Sequence, residues 1–204
     1  LLSQKLKILI KRKLTLNMSK PVSIVLSGPC GVGKTHVIKQ CIRNMKLSPV
    51  FIDSSSTVLK DDFKKTFISI IRSSNLLFSK PVVVILKNVQ CSPHIDFIIS
   101  TLKKLHGVKN KSGKKFNKPL QSNPIIFTTD GSKKKPMYNL QKYAEVLQLP
   151  KNDMSMMKQI FKRIINFKQV QFFYKQYDSQ INKLLESCKG NVATLIMKIQ
   201  FLSQ

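Results

Sequence analysis

Acidic side chains are the scarcest chemistry in this chain of 204 residues. Nine Asp and Glu stand against 36 Lys and Arg, giving a net charge of +27 and a pI near 10.2. None of the nine lies between Asp62 and Asp96, so that stretch has no carboxylate to hold a metal or take a proton. Arginine is scarce too: Arg12, Arg43, Arg72 and Arg163 are the four, and the remaining positive charge is lysine. Charge of this size predicts a polyanionic partner, and nucleic acid is the commonest. Cys30, Cys41, Cys91 and Cys188 form no C-x-x-C pair, which argues against structural zinc, and a disulfide framework does not suit a domain of this size. The thiols therefore read as reduced, which places the chain in the cytosol or nucleus. His36, His94 and His106 are isolated and read as ordinary surface or core residues. No apolar run approaches the 18 or so residues of a transmembrane helix. The start, Leu1-Leu2-Ser3, has neither an initiator Met nor a signal-peptide cleavage pattern and reads as part of something longer.

Against these absences stands one complete motif. Gly28-Pro29-Cys30-Gly31-Val32-Gly33-Lys34-Thr35 spells G-x-x-x-x-G-K-[ST], with His36 following. A short apolar run precedes it, Val22 to Leu26, and helical apolar spacing follows it. That order is what phosphate binding requires. Glycines let successive backbone N–H groups turn inward on a phosphate, and a helix beginning near Gly33 adds its positive end. Lys34 is placed to reach the β/γ-phosphates, and Thr35 to hold Mg²⁺.

The partner motif is damaged. Hydrolysis needs a carboxylate at the end of a neighbouring strand to order the metal, and a second one to activate water. The strand expected to carry them is Pro81 to Leu86, a β-branched run suited to a sheet buried on both faces. Lys87 then stands at the metal-ordering position and Asn88 at the water-activating one. A lysine repels Mg²⁺ and an asparagine cannot accept a proton, so no catalytic residue is assigned and hydrolysis by this chain alone is expected to be lost or very weak.

Along the chain, strands alternate with helices. A basic helix is expected from Leu2 to Leu14, burying Leu6, Ile8, Leu9 and Ile10. Strands follow at Val22–Leu26, Pro49–Asp53, Pro81–Leu86 and Pro124–Thr129, with helices from Asp61 to Ile71 and from about Pro93 to Leu105. This alternation predicts an α/β fold, a parallel-sheet core over residues 1–149. From Pro150 to Gln204 the pattern is helical only and predicts a small helical lid domain. Asp153 is placed to cap a helix with Met156, Met157, Ile160, Phe161, Ile164 and Ile165 on its face. A second helix is expected from Tyr177 to Cys188. Gly190 fits a helix C′ position and Asn191 the N-cap of a last helix, Val192 to Leu202. Between the third and fourth strands runs a lysine-rich stretch from which Lys109, Lys111, Lys114 and Lys115 are candidates for DNA contact.

The phosphate loop, Val50 to Ser56, Val84 to Val89, Pro124 to Asp130 and Cys188 to Ala193 together resemble an AAA+ ATPase of the clamp-loader group. In order and spacing they look most like the large subunit of replication factor C and its clamp-unloading and checkpoint alternatives. The resemblance implies a P-loop NTPase core binding ATP with Mg²⁺ through residues 28–36, with Thr35 on the metal. It implies a sensor-1 residue at Thr128 or Thr129, and it implies small clamp-loader-type subunits, a sliding clamp and DNA as partners, with no membrane. It points to replication or repair in the nucleus, the cytosol or a viral factory being alternatives. The chain departs from the family at Ala193, where a sensor-2 arginine is usual, and at Tyr143, where small subunits carry an arginine finger. Two functions follow: a DNA-associated module acting through assembly with partner subunits, or an active stand-alone P-loop NTPase or nucleotide kinase.

Overall fold

The computed structural model describes residues 2–15, 23–54, 59–72, 80–107, 122–132, 134–167 and 178–202. The chain divides into two compact units, one of Leu1–Ser27 with Thr35–Gln148, the other of Gly28–Lys34 with Leu149–Gln204.

The first unit opens with helix α1 (Leu2–Thr15), followed by strand β1 (Ser23–Ser27) and helix α2 (Lys34–Asn44), whose first residue belongs to the other unit. Next come β2 (Ser48–Asp53), α3 (Lys60–Arg72), β3 (Val82–Lys87), α4 (Ile95–Leu105), β4 (Ile125–Thr129), α5 (Lys135–Gln141) and β5 (Glu145–Gln148). The five strands form one parallel sheet in the order β2-β3-β4-β1-β5. A purely parallel sheet has both faces covered, so its strands are apolar without alternation. Accordingly β1 and β4 are buried throughout, and β3 is buried up to Lys87. Phe63, Phe67 and Ile71 of α3 pack with Ile98 and Leu102 of α4 against Val84, Leu86 and Phe127. Phe63 also stacks on Phe67, with ring centroids 5.6 Å apart, and on His94 at 4.6 Å. Burying each such apolar side chain contributes about 1.5–3 kcal/mol. Asp61 and Asp62 in the first turn of α3 and Arg72 in its last complement the helix dipole.

The second unit holds α6 (Met154–Phe167), α7 (Asp178–Ser187) and α8 (Val192–Leu202). Met157, Phe161 and Ile165 of α6 meet Leu185 of α7 and Leu195 and Ile199 of α8 in one apolar cluster. The Asp153 carboxylate accepts the Met156 N–H at 2.7 Å, which caps α6.

Several expectations from sequence are revised. Ile8 is 50% exposed and Met156 51% exposed, because each lies on the outer side of its helix, one position away from a residue that turns inward. Helix α5 and strand β5 were not anticipated. α5 is seven residues with a proline at its start, and β5 is a four-residue edge strand with one buried side chain, Leu147. Tyr143 packs against the core of the first unit, its ring 5.9 Å from that of His106.

Candidate functional site

The phosphate loop joins the end of β1 to the start of α2. Gly31 (φ 74°) and Gly33 (φ 99°) have left-handed backbones, which L side chains adopt at a cost of about 1–2 kcal/mol. Pro29, Cys30 and His36 are exposed, Gly31, Gly33, Lys34 and Thr35 half-buried, and Gly28 and Val32 buried. The Lys34 ammonium donates to the carbonyls of Gly28 (2.7 Å) and Pro29 (2.8 Å), so it lies folded over its own loop.

Residues far along the chain wall the loop, all within the second unit. A Cβ at Gly28 would come 2.5 Å from the Leu149 carbonyl oxygen, closer than any substituent tolerates. A Cβ at Gly31 would overlap the Asn191 side-chain amide. The Val192 N–H donates to the Gly31 carbonyl at 2.9 Å. Asn191 caps α8 by accepting the Thr194 N–H at 3.1 Å, and the Asn152 side chain donates to the Gly190 carbonyl at 2.9 Å. Ala193 is exposed. Sequence reasoning found the loop and the α8 cap separately but not their contact, which joins residues that no local pattern links.

At the C-terminal end of the sheet, in the first unit, stand the positions that a hydrolysing site would fill with acids. Lys87 is the last residue of β3, its ammonium 5.0 Å from the centroid of the Phe51 ring; the Lys39 ammonium lies 5.8 Å from the same ring. Such cation–π contacts contribute about 0.5–1 kcal/mol where exposed. The Lys87 carbonyl accepts both the N–H (3.1 Å) and the hydroxyl (2.6 Å) of the buried Ser54. Asn88 is exposed and left-handed (φ 53°, ψ 42°), and its N–H donates to the Thr128 hydroxyl at 3.2 Å. The two sensor-1 candidates, both buried, part company here. Thr128 faces the end of β3, whereas the Thr129 hydroxyl lies near the Asp130 carboxylate (3.4 Å) and the Met137 sulfur (3.7 Å).

Two carboxylates at this end escaped the sequence reading. Asp53, exposed at the end of β2, is paired in register with Lys87. It was passed over because it lies on the preceding strand, and only strand order brings it beside the β3 terminus. Asp130 follows β4, and the Ser132 N–H, donating to it at 2.9 Å, holds its carboxyl below the usual carboxylate range. Elsewhere, burial raises the Cys41 thiol, partly offset by the Lys7 charge, and the Lys64 ammonium lowers Asp61.

The donor set fits a nucleotide phosphate: a left-handed glycine loop, an ammonium and a hydroxyl at a helix start. It fits a catalytic metal poorly. Thr35 offers one oxygen, β3 ends in a cation where a carboxylate is needed, and Asn88 has no charge. Among the described residues no group of three or more His, Cys, Asp or Glu could hold a metal. No helix among them is long and apolar enough to cross a membrane. The DNA-contact candidates Lys109, Lys111, Lys114 and Lys115 lie outside the described residues; Lys103 and Lys104, just before them, are exposed at the end of α4.

Residues 6–193 match the KAP family P-loop domain. No curated protein matches the chain. Among solved structures the chain resembles the Thermotoga maritima RuvB Holliday junction branch migration motor, with 14% identity and a TM-score of 0.65, over 96% of this chain and 58% of that one. A point mutant of the same RuvB aligns with 14% identity and a TM-score of 0.64, over 95% of this chain and 58% of that one. The chain thus spans 58% of the length of the RuvB chains it matches. At this identity the likeness is one of fold alone, and the P-loop character of the core rests on the family match.

Proposed function

The chain belongs to the KAP family of P-loop domains, and we propose that it is a nucleotide-binding module whose own hydrolysis is lost or very weak. One observation carries this reading: the chain has a complete phosphate loop, Gly28 to Thr35, but its β3 strand ends in Lys87, with Asn88 next. Binding needs the first feature, and metal-assisted water attack needs the acids missing from the second.

The module acts in an assembly with other nucleotide-binding subunits on DNA. The net charge of +27 supports nucleic acid as partner, as does the likeness in fold to a Holliday junction motor. The finer form is a clamp-loader-type subunit in nuclear DNA replication or repair, beside a sliding clamp. It rests on the segment order described above and on Tyr143, since the lack of an arginine finger there fits the large-subunit position; Ala193 departs from that family, and the family match itself does not carry the finer form.

A second reading, an active NTPase or nucleotide kinase, is favoured by Asp53, which brings a carboxylate into register with Lys87. Equilibrium binding of a fluorescent ATP analogue to the wild type and to Lys34→Ala tests the common ground. Saturable binding lost in Lys34→Ala is expected; equal binding by both proteins overturns the site. Asp53→Asn separates the readings, since it leaves a binding module unchanged and abolishes turnover by an enzyme that relies on that carboxylate.

A further inference from the structure

The Val192 N–H, at the start of α8, donates to the Gly31 carbonyl at 2.9 Å, and Asn191 packs against the same glycine. The peptide between Gly31 and Val32 is planar and trans, so its carbonyl and its N–H point in opposite directions. Holding the carbonyl toward α8 therefore aims the Val32 N–H the other way, and a phosphate loop works by turning such backbone N–H groups together onto the anion. A hydrogen bond accepted by the carbonyl also polarises the peptide and strengthens its N–H as a donor. Ala193 offers no side-chain cation to a nucleotide, so this backbone bond is a contribution that α8 makes to the loop without one.

We infer that the Val192 N–H is a positioning group for nucleotide binding: it fixes the Gly31–Val32 peptide in the phosphate-binding orientation and makes the start of α8 responsive to the phosphate. The inference rests on the nucleotide-binding reading above. It implies reciprocity, because linkage requires that a loop held for phosphate by α8 must in turn hold α8 more firmly when phosphate binds.

The test compares Val192→Pro with Val192→Ala in the full chain. Val192 is the first residue of α8, where proline is compatible with the helix and removes only an N–H that has no partner within the helix. The residue before it, Asn191, is an N-cap, typically in the extended region that a following proline favours. Alanine shortens the side chain and keeps the N–H. Affinity for the fluorescent ATP analogue is expected to weaken about three- to tenfold in Val192→Pro, the range for one lost hydrogen bond, and to stay at the wild-type level in Val192→Ala. Equal affinity in the two variants overturns the inference while leaving nucleotide binding intact. Should Val192→Pro fail to fold, amide exchange in the wild type decides: slower exchange of the Val192 N–H with ATP supports the inference, and an unchanged rate overturns it. A wild type that binds no ATP at all sinks the functional reading, and this inference with it.

Discussion

The Asn88 N–H donates to the Thr128 hydroxyl across 3.2 Å and ties the end of β3 to the end of β4. Any residue but proline could donate this bond, so the preference for asparagine comes from the backbone conformation instead. Its backbone there is left-handed, a conformation enriched several-fold in asparagine over most residues. The position thus has a structural duty that a catalytic glutamate would perform less well.

Thr128→Val keeps the shape and removes the acceptor, leaving the Asn88 N–H without that partner. Such a loss costs about 1–3 kcal/mol. Urea denaturation should show a lower midpoint with an unchanged slope; a midpoint equal to wild type would mean that the bond contributes nothing.

Gly31→Ala places a methyl group on a left-handed residue and into the Asn191 side chain. The backbone term alone is about 1–2 kcal/mol. Because the displaced residue caps α8, thermal melting should fall by several degrees, at about 2–4 °C per kcal/mol for a chain of this size. ATP affinity should fall with it. A variant that melts and binds as the wild type does would contradict the packing described.

β1, β3 and β4 were legible because each is a short, largely apolar run, buried along nearly its whole length. Phe161 and Ile165 were legible because helical spacing puts them on one face of α6, and Leu185 because it falls on the apolar face of α7. Lys87 and Asn88 could be placed because they directly follow Leu86 in the chain. Asp53 was not legible: its importance comes from lying in register with Lys87, and register is a tertiary fact. The same holds for Val192 and Gly31, whose backbone bond involves no side chain and leaves no trace in residue type beyond the glycine. β5 was missed because an edge strand burying one side chain has too short a pattern to separate from a turn.

The carboxyl of Asp130, held low by the Ser132 N–H, predicts a pH effect of definite sign. A depressed folded-state value means that the group contributes stability above the ordinary aspartate value, about 3.9. That contribution is lost as pH falls through the lower folded value. Asp130→Asn keeps an oxygen acceptor for Ser132 but cannot titrate. Below about pH 4, its stability should fall less steeply than that of the wild type; parallel acid limbs would contradict the assignment.

Neutralising Lys109, Lys111, Lys114 and Lys115 together tests the DNA reading. For every duplex phosphate that these lysines neutralise in the wild type, the log–log salt slope of binding should become shallower by ~0.9 in the variant. Lysine offers point charges without base readout, so the weakening should be alike for unrelated sequences. An unchanged slope would move the DNA-binding role to other surfaces.

The most direct test of the account is ATP turnover by the unmodified protein with Mg²⁺ and primed DNA, measured beside binding of the same nucleotide and beside Lys34→Ala. The account predicts saturable binding that Lys34→Ala abolishes, with turnover in the wild type no higher than in that variant. Robust Mg²⁺-dependent hydrolysis that disappears in Lys34→Ala would contradict it, and would show that a carboxylate other than the two missing at Lys87 and Asn88 completes the site.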